Sequence, residues 1–240
     1  MKLCFDDFIS EFRAINNGIG QGHPLSMIIY ILYNADLLEI PADDDKDAIG
    51  YVDDAILMAI RDSFTETVAT LADMMEREDG GFQWTDNHNS KFEISKVAVM
   101  HLSQASTSNK EGIKVKLHEM APPLILRGTT IEAVKKYKYL RVLVDPELRW
   151  KAQTMRAVEK ATKWVMLFKR LTEPSTGVRL KLMRQLYLLV GIPKLTYALD
   201  VWYTPPYKQL GKERNSGSIA ALRQLTKIQQ MVTIAIIGAL

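Results

Sequence analysis

Residues 48–60 read Ala48-Ile49-Gly50-Tyr51-Val52-Asp53-Asp54-Ala55-Ile56-Leu57-Met58-Ala59-Ile60, two short apolar runs broken only by a pair of aspartates. Runs of this length joined by two turn-tolerant residues predict a β-hairpin whose turn is Asp53-Asp54. Two carboxylates at such a tip project into solvent from a rigid base. Hard divalent cations such as Mg²⁺ take oxygen ligands of this kind. Phosphoryl-transfer enzymes that use two metal ions hold them ~3.5–4 Å apart, and bridging carboxylates satisfy both ions. Aspartate is also a favoured turn residue for purely conformational reasons, so the pair takes on a chemical meaning only from its neighbours.

Upstream of the pair, Gly18-Ile-Gly-Gln-Gly22 leads through His23-Pro24 into a dense apolar stretch ending at Leu38. Proline at a first helical position is pre-set for helix entry. Leu25, Ile28, Ile29 and Leu32 keep helical spacing while Met27, Ile31 and Tyr33 fill the other sides, which predicts a helix buried nearly all round. Asp53 and Asp54 are expected near its N-terminal end. Pro41 and Asp43-Asp44-Asp45 mark a loop. Downstream, Val68, Leu71 and Met75 predict a helix over 64–76, ended by Gly80-Gly81. A loop over 86–90, a strand over 92–102 and a second loop over 104–111 follow. Strands are expected at 113–117, 124–126 and 137–144, with a turn at Arg127-Gly128. From Trp150 the pattern is helical, over 150–171, 178–190 and 220–237. The natural boundary is Asp145-Pro146, which gives regions 1–145 and 146–240.

The 240 residues are 47% apolar and 25% charged, ordinary globular proportions that exclude a disordered or collagen-like chain. The longest apolar run, Met27 to Tyr33, is far short of the ~20 residues of a membrane span. Asp6 and Asp7 spoil a signal-peptide reading of the start. The single cysteine, Cys4, cannot form an internal disulfide, which suits a reducing compartment. Net charge is +3 but steeply graded: residues 1–60 carry 3 basic and 11 acidic side chains, residues 134–240 carry 20 and 6. A carboxylate-rich part is thus followed by one able to face a polyanion.

Taken in order, the segment Gly18-Ile-Gly-Gln-Gly-His-Pro-Leu-Ser26, the helix ending Tyr33-Asn-Ala-Asp-Leu37 and the Tyr-Val-Asp-Asp hairpin resemble the palm of reverse transcriptases of the non-LTR, LINE-like retrotransposon type. Ser95-Lys96 falls where that family has its lysine-bearing palm segment. Tyr137-Lys-Tyr-Leu-Arg-Val-Leu-Val-Asp145 with Leu148-Arg-Trp150 looks like the primer-grip strand entering the thumb. Pro193-Lys-Leu-Thr-Tyr197 and Val201-Trp202 match the later helical region. The resemblance implies an α+β fold, a partial polymerase palm of antiparallel strands with helices on one face, followed by an all-α thumb-like region. It implies an RNA template, a DNA primer and dNTPs as partners, Mg²⁺ in a two-metal site as cofactor, no membrane, and a nuclear location. Asp53 and Asp54 would be catalytic metal ligands. Gln21, Gly22 and Tyr51 would lie against the template and incoming nucleotide, and Lys96 would assist the leaving pyrophosphate. The glycines lack the strand and the G-x-G-x-x-G spacing of a dinucleotide fingerprint, which excludes that alternative.

The pattern departs from the family in three places. The family's first metal-binding aspartate lies on a strand well upstream of the glycine segment, with a helix between. Here 17 residues precede Gly18, and Asp6 and Asp7 are the only candidates by type. The expectation is that fingers and first carboxylate are absent, so that the chain is a fragment or decayed copy, inactive alone. Glycine at 20 and histidine at 23 replace a usual proline and a small or acidic residue. Arg141 replaces the primer-grip glycine, which costs roughly 1–2 kcal/mol if its φ is positive.

In the helix over 150–171, Trp150, Ala157, Trp164 and Leu171 recur every seven residues, and Val158, Ala161, Val165 and Phe168 widen that stripe into a core face. Arg149, Arg156, Lys160, Lys163 and Arg170 share another face. A row of cations along one helix suits a nucleic-acid backbone, where affinity comes from counterion release. The tryptophans read as core. Two functions are therefore carried forward: an RNA-directed DNA polymerase palm and thumb, or a catalytically dead nucleic-acid-binding remnant that keeps the basic face.

Overall fold

The computed structural model describes residues 4–12, 23–41, 43–108, 112–171, 177–208, 210–211 and 215–237. The elements begin with β1 (Cys4–Phe5), β2 (Phe8–Ile9), α1 (Pro24–Tyr33), β3 (Lys46–Tyr51), β4 (Asp54–Ala59), α2 (Phe64–Glu76) and α3 (Gly81–Asn87). Short strands follow: β5 (Ser106–Ser108), β6 (Lys114–Lys116), β7 (Leu124–Leu126), β8 (Thr129–Ile131), β9 (Tyr137–Tyr139) and β10 (Val142–Val144). The remainder is α4 (Lys151–Arg170), α5 (Leu180–Leu186), α6 (Ile192–Leu195), α7 (Leu199–Trp202), β11 (Tyr207–Lys208), β12 (Asn215–Ser216) and α8 (Ile219–Ile237). The chain is thus mixed helix and strand. Its ladders among the described residues are six antiparallel two-stranded pairs, with one isolated parallel bridge between Val99 and Ala133.

Two compact units emerge, Met1–Val99 with Ala121–Ala133, and Met100–Met120 with Val134–Leu240. They interleave in sequence instead of meeting at Asp145-Pro146, because the β9–β10 hairpin packs on α4 and β7–β8 packs on α2.

In the first unit, α2 starts where Ser63 accepts from the Glu66 amide at 3.2 Å, one half of a capping box. Its Met75, with Phe82, Leu124, Leu126 and Ile131, forms one buried cluster. Met74, Trp84, Leu37 and Ile40 form a second. Gly80 closes the turn after α2, its amide donating to the Arg77 carbonyl at 3.0 Å, and caps α3. Gly81 opens α3, where a Cβ would meet the Met75 sulfur at 2.6 Å, so glycine lets α3 lie close on α2.

In the second unit, Ala161, Val165 and Phe168 of α4 pack with Met183, Leu195, Ile228, Val232 and Ala235. Val142, Ala157, Trp202 and Ala221 form the adjoining cluster. A stretch of π-helix at Tyr187–Gly191 joins α5 to α6. Gly191 faces the Trp164 ring there, which a Cβ would meet at 2.6 Å.

Several expectations are corrected. α1 is not buried: Leu25, Met27, Ile28, Ile29, Ile31 and Leu32 are all exposed, Leu32 by 70%. Its C-terminal end finds neighbours among the described residues: the Tyr33 ring stands edge-on to Trp84 at 6.4 Å and its hydroxyl donates to the His88 carbonyl. No strand spans 92–102. Glu93 and Lys96 form a local ion pair across a 3-10 turn at Ile94–Lys96, and Val99 makes an isolated bridge to Ala133, which lies outside any strand. The loop expected over 104–111 holds β5. The strand expected over 137–144 is a hairpin that folds back at Leu140-Arg141.

Candidate functional site

The Tyr-Val-Asp-Asp segment forms the tip of the β3–β4 hairpin. Tyr51 pairs with Asp54, so the two turn residues are Val52 and Asp53, one position earlier than the sequence suggests. The slip follows from pairing six residues of each strand, Lys46 against Ala59 through Tyr51 against Asp54. Val52 takes φ +56°, a left-handed conformation that a β-branched side chain rarely adopts. Such strain persists only where surrounding structure imposes it. Asn34, which ends α1, donates from Nδ2 to the Val52 carbonyl at 3.1 Å. The hairpin tip therefore sits at the C-terminal end of α1, not the N-terminal end, which a helix of 10 residues places ~15 Å away.

The base of the hairpin is pinned as well. Arg61 reaches the Asp45 carboxylate at 2.6 Å, and Lys46 pairs with Asp43 at 2.9 Å. The Lys46 hydrogen bond holds the Asp43 carboxyl below its ordinary range. Gly50 lets β3 lie against Leu38, whose methyl a Cβ would approach to 2.9 Å.

At the tip, Tyr51, Asp53 and Asp54 are all exposed, and neither carboxylate has an ion-pair partner among the described residues. Their donors are oxygens alone, the set a hard divalent ion takes. No third His, Cys, Asp or Glu joins them into a metal-holding group among the described residues. Asp6 and Asp7 instead form the turn between β1 and β2, exposed to solvent. Gln21 and Gly22, with the rest of the glycine segment, lie outside the described residues. Lys96 is exposed and held by Glu93, whose carboxyl that hydrogen bond lowers.

The second unit carries the cationic row. Arg149 pairs with Glu147 at 2.5 Å and Lys163 with Glu159 at 2.6 Å, so two members of the row are neutralised where they stand. Arg156, Lys160 and Arg170 are half-buried or exposed and enter no ion pair among the described residues. Burial lowers the Lys160 pKa, and nearby Arg156, Arg141 and Lys138 lower it further. The two side chains from the β9–β10 hairpin escaped the sequence reading as cations of this face. The signal was a sharp turn inside 137–144, which would have carried Lys138 and Arg141 back towards the helix.

The chain is 23% identical over 217 residues to the RNA-directed DNA polymerase from mobile element jockey of Drosophila melanogaster. That similarity supports the reverse transcriptase family. It covers 88% of this chain and 22% of the relative, so the chain spans about a fifth of the relative's length. No family model matches the chain, and no solved structure matches it.

The hairpin presents carboxylates, and the α4 face presents cations. No helix is long and apolar enough to cross a membrane among the described residues.

Proposed function

We propose that the chain is a reverse transcriptase-like module that binds an RNA template paired with a DNA primer, carries part of a polymerase active site at Asp53 and Asp54, and does not polymerise alone. The β3–β4 hairpin and its supports would be palm, and the helices from α4 onwards thumb. The observation that carries the reading is the hairpin tip: Tyr51 paired with Asp54, Asp53 in the turn, and Asn34 holding the turn carbonyl.

Asp53 and Asp54 would hold Mg²⁺, which when bound supplies charge stabilisation to a nucleotide triphosphate. Tyr51 would contact the nucleotide, and the α4 cations would face the duplex backbone. Two carboxylates suffice for one ion that keeps several waters. They do not suffice for two ions held against their mutual repulsion, which needs acids from a second strand. Misplacement of a reacting group by about an ångström can cost ~100-fold in rate. The family resemblance implies a nuclear location for the working protein.

Primer extension with Mg²⁺, dNTPs and an RNA template, run beside duplex binding, tests this. The expected result is binding without extension. Extension lost on Asp53→Ala would show that the site is complete within the chain. An absence of duplex binding at low salt would sink the nucleic-acid reading altogether.

A further inference from the structure

α1 is covered on the wrong side for a helix of its composition. Its half-buried residues are Ser26 and Tyr30, four apart on one face, and the capping Asn34 continues that line. Leu25, Met27, Ile28, Ile29, Ile31 and Leu32 are exposed by 50–70%. Large apolar side chains gathered in this way on one short element mark a surface that another protein covers. No residue of α1 is charged, but its surroundings are, since residues 1–60 carry 11 acidic and 3 basic side chains. At its C-terminal end the Tyr33 ring stands 6.4 Å from Trp84 and 5.1 Å from His88. Those two rings line an open cavity of about 320 Å³ together with Asp36, Glu39, Arg77 and Asp79. Arg77 is engaged by the Ile40 carbonyl and by Asp73 at 3.7 Å, and Asp36 lies 3.8 Å from the His88 ring. Glu39 and Asp79 enter no ion pair among the described residues.

We propose that α1 and the acidic cavity at its end form a docking surface for a basic amphipathic helix of a partner protein, whose apolar side chains cover α1 and whose lysine or arginine enters the cavity. The inference goes beyond the nucleic-acid reading and does not depend on it. Leu25, Ile28, Ile29 and Leu32 form one stripe at i, i+3, i+4 and i+7, the pattern on which a partner helix packs. Charge then decides the occupant. A second copy pairing through α1 would set the 11 acids of one chain's first 60 residues against the same 11 of the other, and like charges brought together across a contact are costly. A nucleic-acid strand or an anionic bilayer meets the same repulsion. Helices that lie in a bilayer surface also carry lysine and arginine on their polar face, and α1 carries neither. A partner with an apolar centre and a cationic rim matches both the helix and its border. Its cation would reach Glu39 and Asp79 in a recess, the setting in which a single arginine anchors an interface.

The test measures binding of the full chain to an 18-residue helical peptide of leucine and lysine, with a leucine–glutamate peptide of the same pattern beside it, by fluorescence anisotropy. The variants are Ile28→Ser, Leu32→Ser and the pair Asp36→Asn with Glu39→Gln, and Leu189→Ser in the second unit is the control. Circular dichroism confirms that each variant is folded. The lysine peptide should bind wild type and the control alike, and the glutamate peptide should not. Each serine variant should weaken binding roughly 5- to 20-fold. The double acid variant should weaken it roughly 3- to 10-fold and remove most of its salt dependence. No binding of the lysine peptide, or binding unchanged by both serine substitutions, would overturn the docking surface. Equal binding of the glutamate peptide would overturn the basic partner. A dimer in analytical ultracentrifugation that Leu32→Ser dissociates would give the surface to a second copy and overturn the proposal as well.

Discussion

Asn34 and Val52 are 18 residues apart, and the Asn34 side-chain amide donates to the Val52 carbonyl at 3.1 Å. One group thus ties the end of α1 to the turn that presents Asp53. Val52 sits at φ +56° in that turn, a strained position for a β-branched residue. The Asn34 Oδ1 is buried with no hydrogen-bond partner among the described residues, so the side chain is oriented for its donor and not for its acceptor. Held turn and unmet acceptor together describe a tip fixed at some cost in stability.

Replacing Asn34 by alanine should therefore loosen the tip before it unfolds the unit. The loss of one half-buried hydrogen bond is worth ~0.5–1.5 kcal/mol. Amide exchange at Val52, Asp53 and Asp54 should quicken by a comparable factor of ~2–10, while exchange in α2 stays as in wild type. Uniform quickening throughout the first unit would show that Asn34 supports the whole fold and not the tip.

Trp84 is 8% exposed, stacks on His88 at 4.4 Å, and leaves its indole N–H buried with no acceptor among the described residues. Trp84→Phe removes that unmet donor, worth ~1–3 kcal/mol, against a similar loss of packing. The two should nearly cancel, whereas Trp84→Ala should cost ~3–5 kcal/mol. Urea denaturation separates them. A phenylalanine variant as unstable as the alanine one would mean that the N–H has a partner.

Gly191 lies in the π-helical stretch, 2.6 Å from the Trp164 ring once a Cβ is added. A ring packed on Phe168 at 4.9 Å has little room to retreat. Gly191→Ala should lower stability by ~1–3 kcal/mol through overpacking, despite the better helix propensity of alanine. Gly191→Ala combined with Trp164→Leu should recover part of that loss.

These elements also show how far sequence reaches. The hairpin, α2, β7, α4 and α8 were legible because each is decided locally, by alternation, by a cap or by a long apolar stripe. The tip register was missed by one residue, since aspartate and valine do not announce which of them turns. The burial of α1 was misread because periodicity reports what a helix could bury, not whether neighbours exist to cover it. Gly80-Gly81 read as a helix end, yet Gly81 serves a contact with Met75 that no local pattern encodes. The carboxylate pair was visible in sequence. Lys138 and Arg141 were not, because their place beside Arg156 and Lys160 depends on a hairpin inside what looked like one strand.

Glu147 receives Lys116 at 2.5 Å and Arg149 at 2.5 Å. The Lys116 hydrogen bond leads in holding its carboxyl below the usual 4.5, with Arg149 adding to it. A carboxyl depressed in the folded state stabilises above its unfolded pKa and loses that contribution as pH falls through the folded value. Stability of the second unit should hold from neutrality down to about pH 4.5 and decline below it. Glu147→Gln should flatten the acid limb of the unfolding curve. An acid limb unchanged by that substitution would assign the decline to other carboxylates.

Arg141 separates strain from charge. Its φ is +67° and that of Leu140 is +43°, a turn that favours glycine or asparagine. A non-glycine residue there costs roughly 1–2 kcal/mol, and glycine returns part of this as extra unfolded-state entropy, about 0.5–1 kcal/mol. Arg141→Gly should therefore stabilise the second unit modestly, relieving backbone strain and removing one cation from beside Lys160. Arg141→Gln removes the charge alone and should stabilise less. Arg141→Lys keeps both and should resemble wild type. In 1 M salt, where the Debye length falls to ~3 Å, the charge contribution should vanish and the strain contribution persist. The glutamine variant then converges on wild type while the glycine variant stays above it. If Arg141→Gly melts below wild type at either salt, the turn is not strained by arginine, and the Tyr197 and Gln153 hydrogen bonds carry this backbone without cost.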